Sequence, residues 1–143
     1  MRRPLLLALG VALLIGGIVG TGIALAATPH QLLVDYAAQA KRDAPAFDGF
    51  STARGADLYR GEHARADGTK ASCSGCHTAD PLATGRSRAN KDIPPLAPAT
   101  NPQRFTDAAQ VEKWFGRNCS DVLGRACTAQ EKGDFITWLL AVR

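Results

Sequence analysis

Cys73-Ser-Gly-Cys-His77 is the stretch that decides the fold of this chain. It is a C-x-x-C-H pattern, which is typical of covalent attachment of a c-type haem. The two thiols add to the haem vinyl groups, and the histidine that follows them becomes the proximal ligand of the iron. A zinc site would need two further ligands at matching spacing, and the sequence has no second close Cys/His pair. We therefore predict one covalent haem c on Cys73 and Cys76, with His77 on the iron.

The N-terminus predicts export. Arg2 and Arg3 precede an uncharged apolar run from Leu5 to Leu25, and a small-x-small cleavage site ends at Ala26. The run is also long enough to remain as an uncleaved membrane anchor, which would be the chain's only contact with a membrane. We expect cleavage, so residues 1–26 form a signal peptide and residues 27–143 one haem domain. That domain would lie in the periplasm, where disulfides persist.

The charge balance gives no indication of nucleic-acid binding. The formal net charge is +4, and without the two N-terminal arginines 15 basic residues remain against 13 acidic ones. No basic patch with interleaved aromatic residues is present, so nucleic acid is not an expected partner. Four cations do flank the haem motif in sequence, namely Lys70, Arg86, Arg88 and Lys91. They favour a solvated surface with one haem propionate partner; the alternative is a docking site for an acidic redox protein.

Helix signals dominate the rest of the chain. Four helices are predicted, and they begin at Thr28-Pro29, at Thr52, near Thr106-Asp107 and at Thr128. The last begins with a capping box formed by Thr128 and Glu131. Residues 61–72 and 78–104 lack periodicity and read as irregular segments. The pattern indicates an all-α domain whose small core is completed by the cofactor.

The second axial ligand is the open question, because it separates electron carriers from ligand-binding haem proteins. The only methionine is Met1, which lies in the signal segment. A His/Met pair is therefore excluded in the processed protein. His30 and His63 are the remaining histidines, and an exposed surface position is the favoured interpretation of each. His63 is the better candidate ligand of the two.

Two further cysteines, Cys119 and Cys127, do not belong to a haem motif. In an oxidising compartment the leftover pair most simply forms a disulfide. The bond would join the third predicted helix to the last one. It would also fix the backbone of Asn118, which directly precedes Cys119 at the expected C-terminal end of its helix.

The sequence resembles the sphaeroides haem protein family of monohaem cytochromes c, which are class I c-type cytochromes. The resemblance extends from about Gln31 to Leu140, and its most specific part is the W-F-x-R-N-C segment that begins at Trp114. It is carried by residues 73–80, 93–98, 101–106, 113–121, 123–128 and 131–135. It implies a class I cytochrome c-like fold, Asn118 as the distal iron ligand and a Cys119–Cys127 disulfide.

This ligand pair has a chemical rationale. An amide oxygen is a weak, hard ligand that favours ferric over ferrous iron. Reduction would then detach Asn118 and free a site for O₂, NO or CO, while His77 stays bound with the help of a hydrogen-bond acceptor. A backbone carbonyl in residues 93–98 is a candidate for that acceptor. Trp114 and Phe115 are candidates for the lining of the distal pocket.

The leading functional hypothesis is a periplasmic cytochrome c that takes up an electron and binds a small ligand at the freed site. The resemblance implies a dihaem cytochrome c and a membrane b-type cytochrome as redox partners. Two alternatives stay open. One is simple electron transfer with the distal ligand retained, and the other is a haem enzyme that acts on oxygen or nitrogen oxides. Under any of these hypotheses, Arg117 or Ser120 could hydrogen-bond bound dioxygen or oxidised nitrogen species.

Overall fold

The computed structural model describes residues 28–65 and 67–143, so the predicted signal peptide lies outside it. These residues form five α-helices and two small antiparallel hairpins. The helices are α1 (Pro29–Asp43), α2 (Thr52–Arg60), α3 (Ser74–His77), α4 (Ala108–Leu123) and α5 (Ala129–Ala141). The strands are β1 (His63–Ala64) with β2 (Lys70–Ala71), and β3 (Gly85–Arg86) with β4 (Asp92–Ile93). None of the described helices combines the length and the apolar character needed to cross a membrane.

Side-chain caps start the helices where the sequence predicts them. Thr28 accepts a hydrogen bond from the backbone N–H three residues later, and Ser51 and Asp107 do the same for α2 and α4. Thr128 and Glu131 form both bonds of the capping box that opens α5. Such caps satisfy backbone donors that have no partner in the first helical turn. The all-α prediction is confirmed, although two short hairpins occupy the segments predicted to be irregular.

Helix α5 lies at the centre of the fold and packs against α1 and α2. Its Ile136 and Leu139 are fully buried, as is Tyr59 of α2. A side chain at Gly55 would collide with the backbone of Asp134, so α2 and α5 approach each other at this glycine. Glycine at this position therefore permits the close packing of the two helices.

An ion pair with a buried carboxylate fixes the start of α2 on α5. Asp134 is 3% exposed. It accepts hydrogen bonds from Arg54 Nε and Nη2, at 2.7 and 2.9 Å, and from the backbone N–H of Ser51 at 2.6 Å. Three donors compensate a buried carboxylate well, which is the condition for such a group to be tolerated in a core.

Helix α4 is held at the edge of the core by polar contacts. Glu112 accepts hydrogen bonds from Tyr36 Oη of α1 and from Lys132 Nζ of α5, the latter at 2.7 Å. The Lys132 ammonium also lies 5.3 Å from the ring centroid of Tyr36 and 5.9 Å from that of Phe115. Burial disfavours the charge on Glu112, but these two donors outweigh it and hold the pKa of Glu112 below its ordinary value. The network therefore ties α1, α4 and α5 together.

One local prediction is wrong. Asn118 is not the C-terminal residue of its helix, because α4 continues to Leu123. The left-handed residue that ends the helix is Gly124, with φ 68°. Glycine adopts this conformation without steric penalty, and this makes it the stronger stop signal.

Candidate haem site

The C-x-x-C-H motif folds into the single turn α3. The backbone N–H of His77 donates to the carbonyl of Cys73 at 3.1 Å. Residues three and four positions apart share one helical face, so Cys73, Cys76 and His77 are presented together. Both cysteines are outside any disulfide and half-buried. Burial raises the pKa of the Cys73 thiol to about 11, which disfavours the thiolate that a zinc site or a dithiol redox centre requires.

The backbone of His77 is fixed from two sides. Tyr59 Oη donates to the carbonyl oxygens of His77 and Thr78, at 3.0 and 2.6 Å. On another side Gly85 lies so close that a side chain there would collide with the carbonyl of Cys76 and with Cα of His77. Burial, and secondly the positive charge of Arg104, lowers the pKa of His77 to about 4. The imidazole is therefore neutral at physiological pH, which is the form that binds a metal.

The proline-rich segment that follows β4 lies beside this turn, because Ile93 pairs with Gly85. Two of its backbone carbonyls already accept hydrogen bonds from side chains. Pro95 O accepts from Asn101 Nδ2 at 3.1 Å and from Arg104 Nε at 2.9 Å, and Pro94 O accepts from Arg104 Nη2 at 2.7 Å. A carbonyl has two lone pairs, so Pro95 is fully used and Pro94 keeps one. The His77 ring makes no hydrogen bond within the described residues, and its acceptor stays a prediction.

Asn118 is exposed on α4. Trp114, one turn earlier on the same face, is 43% exposed, and the cationic groups of Lys113 and Arg117 each lie 5.8 Å from its ring centroid. Val111 and Cys119 occupy the buried side. Asn118 therefore sits at the edge of the apolar stripe of α4, with Trp114 beside it.

Two connections bring α4 towards the haem motif. The β1–β2 hairpin, which ends two residues before Cys73, packs against α4. Arg88, in the turn between β3 and β4, pairs with Asp121 of α4 at 3.7 Å. The structure gives no contact between Asn118 and His77, and the iron-ligand pair stays a prediction.

The two other histidines have ordinary explanations. His63 Nε2 lies 3.0 Å from the carbonyl oxygen of Leu58. A carbonyl only accepts, so this nitrogen carries the proton and donates, and it is not free to bind iron in this arrangement. His30 is exposed in the first turn of α1. The exposed position of His30 confirms the expectation for that residue. His63 is half-buried rather than exposed, because its ring bonds to the backbone of Leu58.

Most of the cations that flank the haem motif are neutralised by exposed carboxylates. Lys70 pairs with Glu62 at 3.2 Å and Arg86 with Asp92 at 2.9 Å, in addition to the Arg88–Asp121 pair. Exposed pairs of this kind contribute little energy, but they cancel local charge. The pairing favours a solvated surface here over a strongly positive docking patch.

The predicted disulfide is present between Cys119 and Cys127, with a Cα–Cα distance of 5.6 Å. It joins the last turns of α4 to the segment that leads into α5. Asn118 is therefore followed directly by a covalent cross-link. The Glu112 network holds the same helix about two turns earlier.

The described residues fit a haem. A haem would supply an apolar plate and two carboxylates, and the thiols and the neutral imidazole of α3 share one face to receive it. Partly buried apolar side chains lie at the edge of the core, among them Leu58, Leu82, Leu96 and Phe115. Arg65, on the hairpin that packs against α4, has a buried Nε without a partner in the described residues. A haem carboxylate is the kind of group that satisfies such a donor.

Comparison with known proteins supports this assignment. A family described as a domain of unknown function (DUF1924) matches residues 45–139. The cytochrome c-type protein SHP of Cereibacter sphaeroides is 43% identical over 122 residues, which are 85% of this chain and 90% of SHP. The structure of oxidised SHP, described as an oxygen-binding cytochrome c, has a TM-score of 0.71 at 42% identity and covers 81% of this chain and 98% of its own.

A second relative has the same fold. The solution structure of cytochrome c″ from Methylophilus methylotrophus, described in connection with haem-ligand detachment, has a TM-score of 0.71 at 35% identity. It covers 79% of this chain and 92% of its own. Fold and site together define a cytochrome c-type protein, a class whose members carry haem. Within that class, the chain belongs to the family that contains SHP and cytochrome c″.

Proposed function

We propose that this chain is an exported, periplasmic monohaem cytochrome c that takes up one electron and binds O₂, NO or CO at a site freed when Asn118 leaves the iron. Cys73 and Cys76 would hold the haem covalently, with His77 as the permanent ligand. The bound haem would supply one-electron redox chemistry and an iron that accepts a diatomic ligand. Oxygen binding by SHP and ligand detachment in cytochrome c″ support the proposal.

The observation that carries the proposal is the contrast between Asn118 and its own helix. Its side chain is exposed and makes no hydrogen bond to any other described residue, so it can rotate without breaking one. The helix around it is fixed by the Glu112 network and by the disulfide at Cys119. Detachment would therefore be a side-chain rotation on a stationary backbone.

His77, unlike the side chain of Asn118, is held firmly in place. Its backbone is held by Tyr59 and by the close approach of Gly85, and burial keeps its imidazole neutral. A change of oxidation state would therefore leave this ligand in place. One mobile and one fixed ligand on the same iron would make ligand binding depend on reduction. As electron donors we propose a dihaem cytochrome c and a membrane b-type cytochrome, following the family resemblance.

Optical and magnetic spectra of the holoprotein test the proposal. The wild type should be low-spin when ferric, and high-spin and reactive with CO when ferrous. Asn118→Val should be high-spin in both oxidation states, since valine offers no ligand atom. His63→Ala is the matched control and should behave as the wild type. A ferrous wild type that is six-coordinate and inert to CO would instead support simple electron transfer.

A low-spin ferric Asn118→Val protein would contradict the assignment of Asn118. If His63→Ala alone abolished the low-spin form, His63 would be the distal ligand. Catalysis on oxygen or nitrogen oxides would require turnover with a defined electron donor, which a separate steady-state assay measures.

A further inference from the structure

Arg104 is a half-buried cation with an unusual set of partners. Its guanidinium donates from Nε to Pro95 O at 2.9 Å and from Nη2 to Pro94 O at 2.7 Å. It has no ion pair with a carboxylate in residues 28–65 and 67–143. Arg54, by comparison, pairs with the buried Asp134. The positive charge of Arg104 therefore has no carboxylate partner among the residues that the structure describes.

The environment makes this charge effective. Burial lowers the pKa of Arg104 below its ordinary value, although arginine stays protonated in proteins. Backbone carbonyls compensate the lost hydration through hydrogen bonds but carry no net charge. In a partly dehydrated setting the electrostatic field of such a charge extends further than it does at the surface.

The hydrogen-bond geometry places Arg104 on the His77 side of the site. Gly85 abuts the backbone of His77, and its partner Ile93 directly precedes the two prolines that Arg104 holds. The guanidinium spans two successive carbonyls with one rigid fork, which a lysine ammonium cannot reproduce. Asn101 makes an independent bond to Pro95 O, so this segment keeps one anchor when Arg104 is replaced.

We propose that Arg104 is a positioning residue for the proximal ligand His77. Its fork fixes the Pro94–Pro95 carbonyls beside the histidine, and its unpaired charge favours the reduced haem. The inference rests on the proposed haem site. The role of the charge does not depend on detachment of Asn118, whereas the role of the fork is read in the five-coordinate ferrous haem that detachment leaves. Charge and fork are separable, because Arg104→Lys keeps the charge and loses the fork, whereas Arg104→Gln loses both.

The test uses the holoprotein with its haem attached, verified by mass. Arg104→Gln should shift the ferrous-to-ferric ratio at a fixed applied potential at least about threefold towards ferric, equivalent to about 28 mV for one electron. Arg104→Lys should retain most of the midpoint potential but should change the iron–histidine stretching band of the ferrous resonance Raman spectrum. Arg86→Gln, an exposed cation paired with Asp92, is the matched control and should leave both readouts unchanged.

An unchanged potential in haem-loaded Arg104→Gln overturns the role of the charge. An unchanged Raman band in Arg104→Lys overturns the role of the fork, and this variant decides the question if Arg104→Gln does not fold. A shift of equal size in Arg86→Gln would also contradict the inference. Failure of the proposed function would give a different result. The ferrous wild type would then not bind CO, while the midpoint potential of Arg104→Gln would still be shifted.

Discussion

Removing the disulfide tests how the fold supports the site. In a Cys119→Ser/Cys127→Ser double variant the covalent cross-link between α4 and the segment before α5 is lost. The contacts of Glu112 and the start of α4 remain, so the helix should persist with a looser final turn and a half. Asn118 lies directly at the released end.

The magnitude follows from the loop that the bond closes. Cys119 to Cys127 comprises nine residues. The loop-entropy relation gives a loss of about 8.7 cal/mol/K in the unfolded chain, or about 2.6 kcal/mol of stability at 25 °C. That is a large share of the total stability of a small domain, which is of the order of 5–15 kcal/mol. The double variant should therefore unfold at a clearly lower guanidinium concentration.

Equilibrium unfolding of both holoproteins, followed by far-UV circular dichroism and by the Soret band, measures the difference. Ala126→Ser lies in the same loop, keeps the bond and should unfold like the wild type. The double variant should also show a smaller low-spin fraction when ferric, because the backbone of Asn118 is less well fixed. A stability loss below about 0.5 kcal/mol, together with an unchanged ferric spectrum, would refute the reasoning.

Three further perturbations probe the core and the proximal side. Asp134→Ala should lower the free energy of unfolding by about 2–3 kcal/mol in a denaturant titration, since it leaves the backbone donor of Ser51 and the head group of Arg54 unpaired. Glu112→Gln should flatten the acid limb of a stability–pH profile. The pKa of Glu112 is lowered in the fold, so its contribution is present above the ordinary value of 4.5 and is lost as pH falls through the folded value. A wild-type profile with no extra loss in that window contradicts this. Gly85→Ala should reduce the haem bound per chain and destabilise the protein by about 1–3 kcal/mol, because its Cβ meets the backbone at His77. Full haem content at unchanged stability would contradict this contact.

Local signals were sufficient for the helix starts and for the attachment motif. The helix-capping side chains accept hydrogen bonds from backbone donors three residues later, as Thr28, Ser51 and Thr128 do. Such short-range contacts can be predicted from the sequence. The hairpins could not be anticipated, because two-residue strands leave no period to detect. The predicted end of α4 is wrong because Asn118 can also adopt the left-handed conformation that ends a helix. In the structure Gly124 adopts that conformation and ends the helix.

The polar contacts that tie the helices together join residues far apart in the sequence. Tyr36 and Glu112 are 76 positions apart, and Arg54 and Asp134 are 80 apart. No local sequence pattern predicts such pairs. The sequence around Arg104 does not indicate its role either, because that role depends on the two backbone carbonyls to which its side chain donates. Asn118 was indicated by family resemblance alone, because an amide carries no ligand signature comparable to C-x-x-C-H.

The central claim is that reduction leaves the iron without Asn118. The most direct measurement is the rate at which CO binds to the ferrous wild type after rapid mixing, as a function of CO concentration. A site that is already open predicts a rate that rises linearly with CO and shows no plateau, as in Asn118→Val. A rate that saturates at high CO would mean that a protein ligand must first dissociate, and it would contradict the claim.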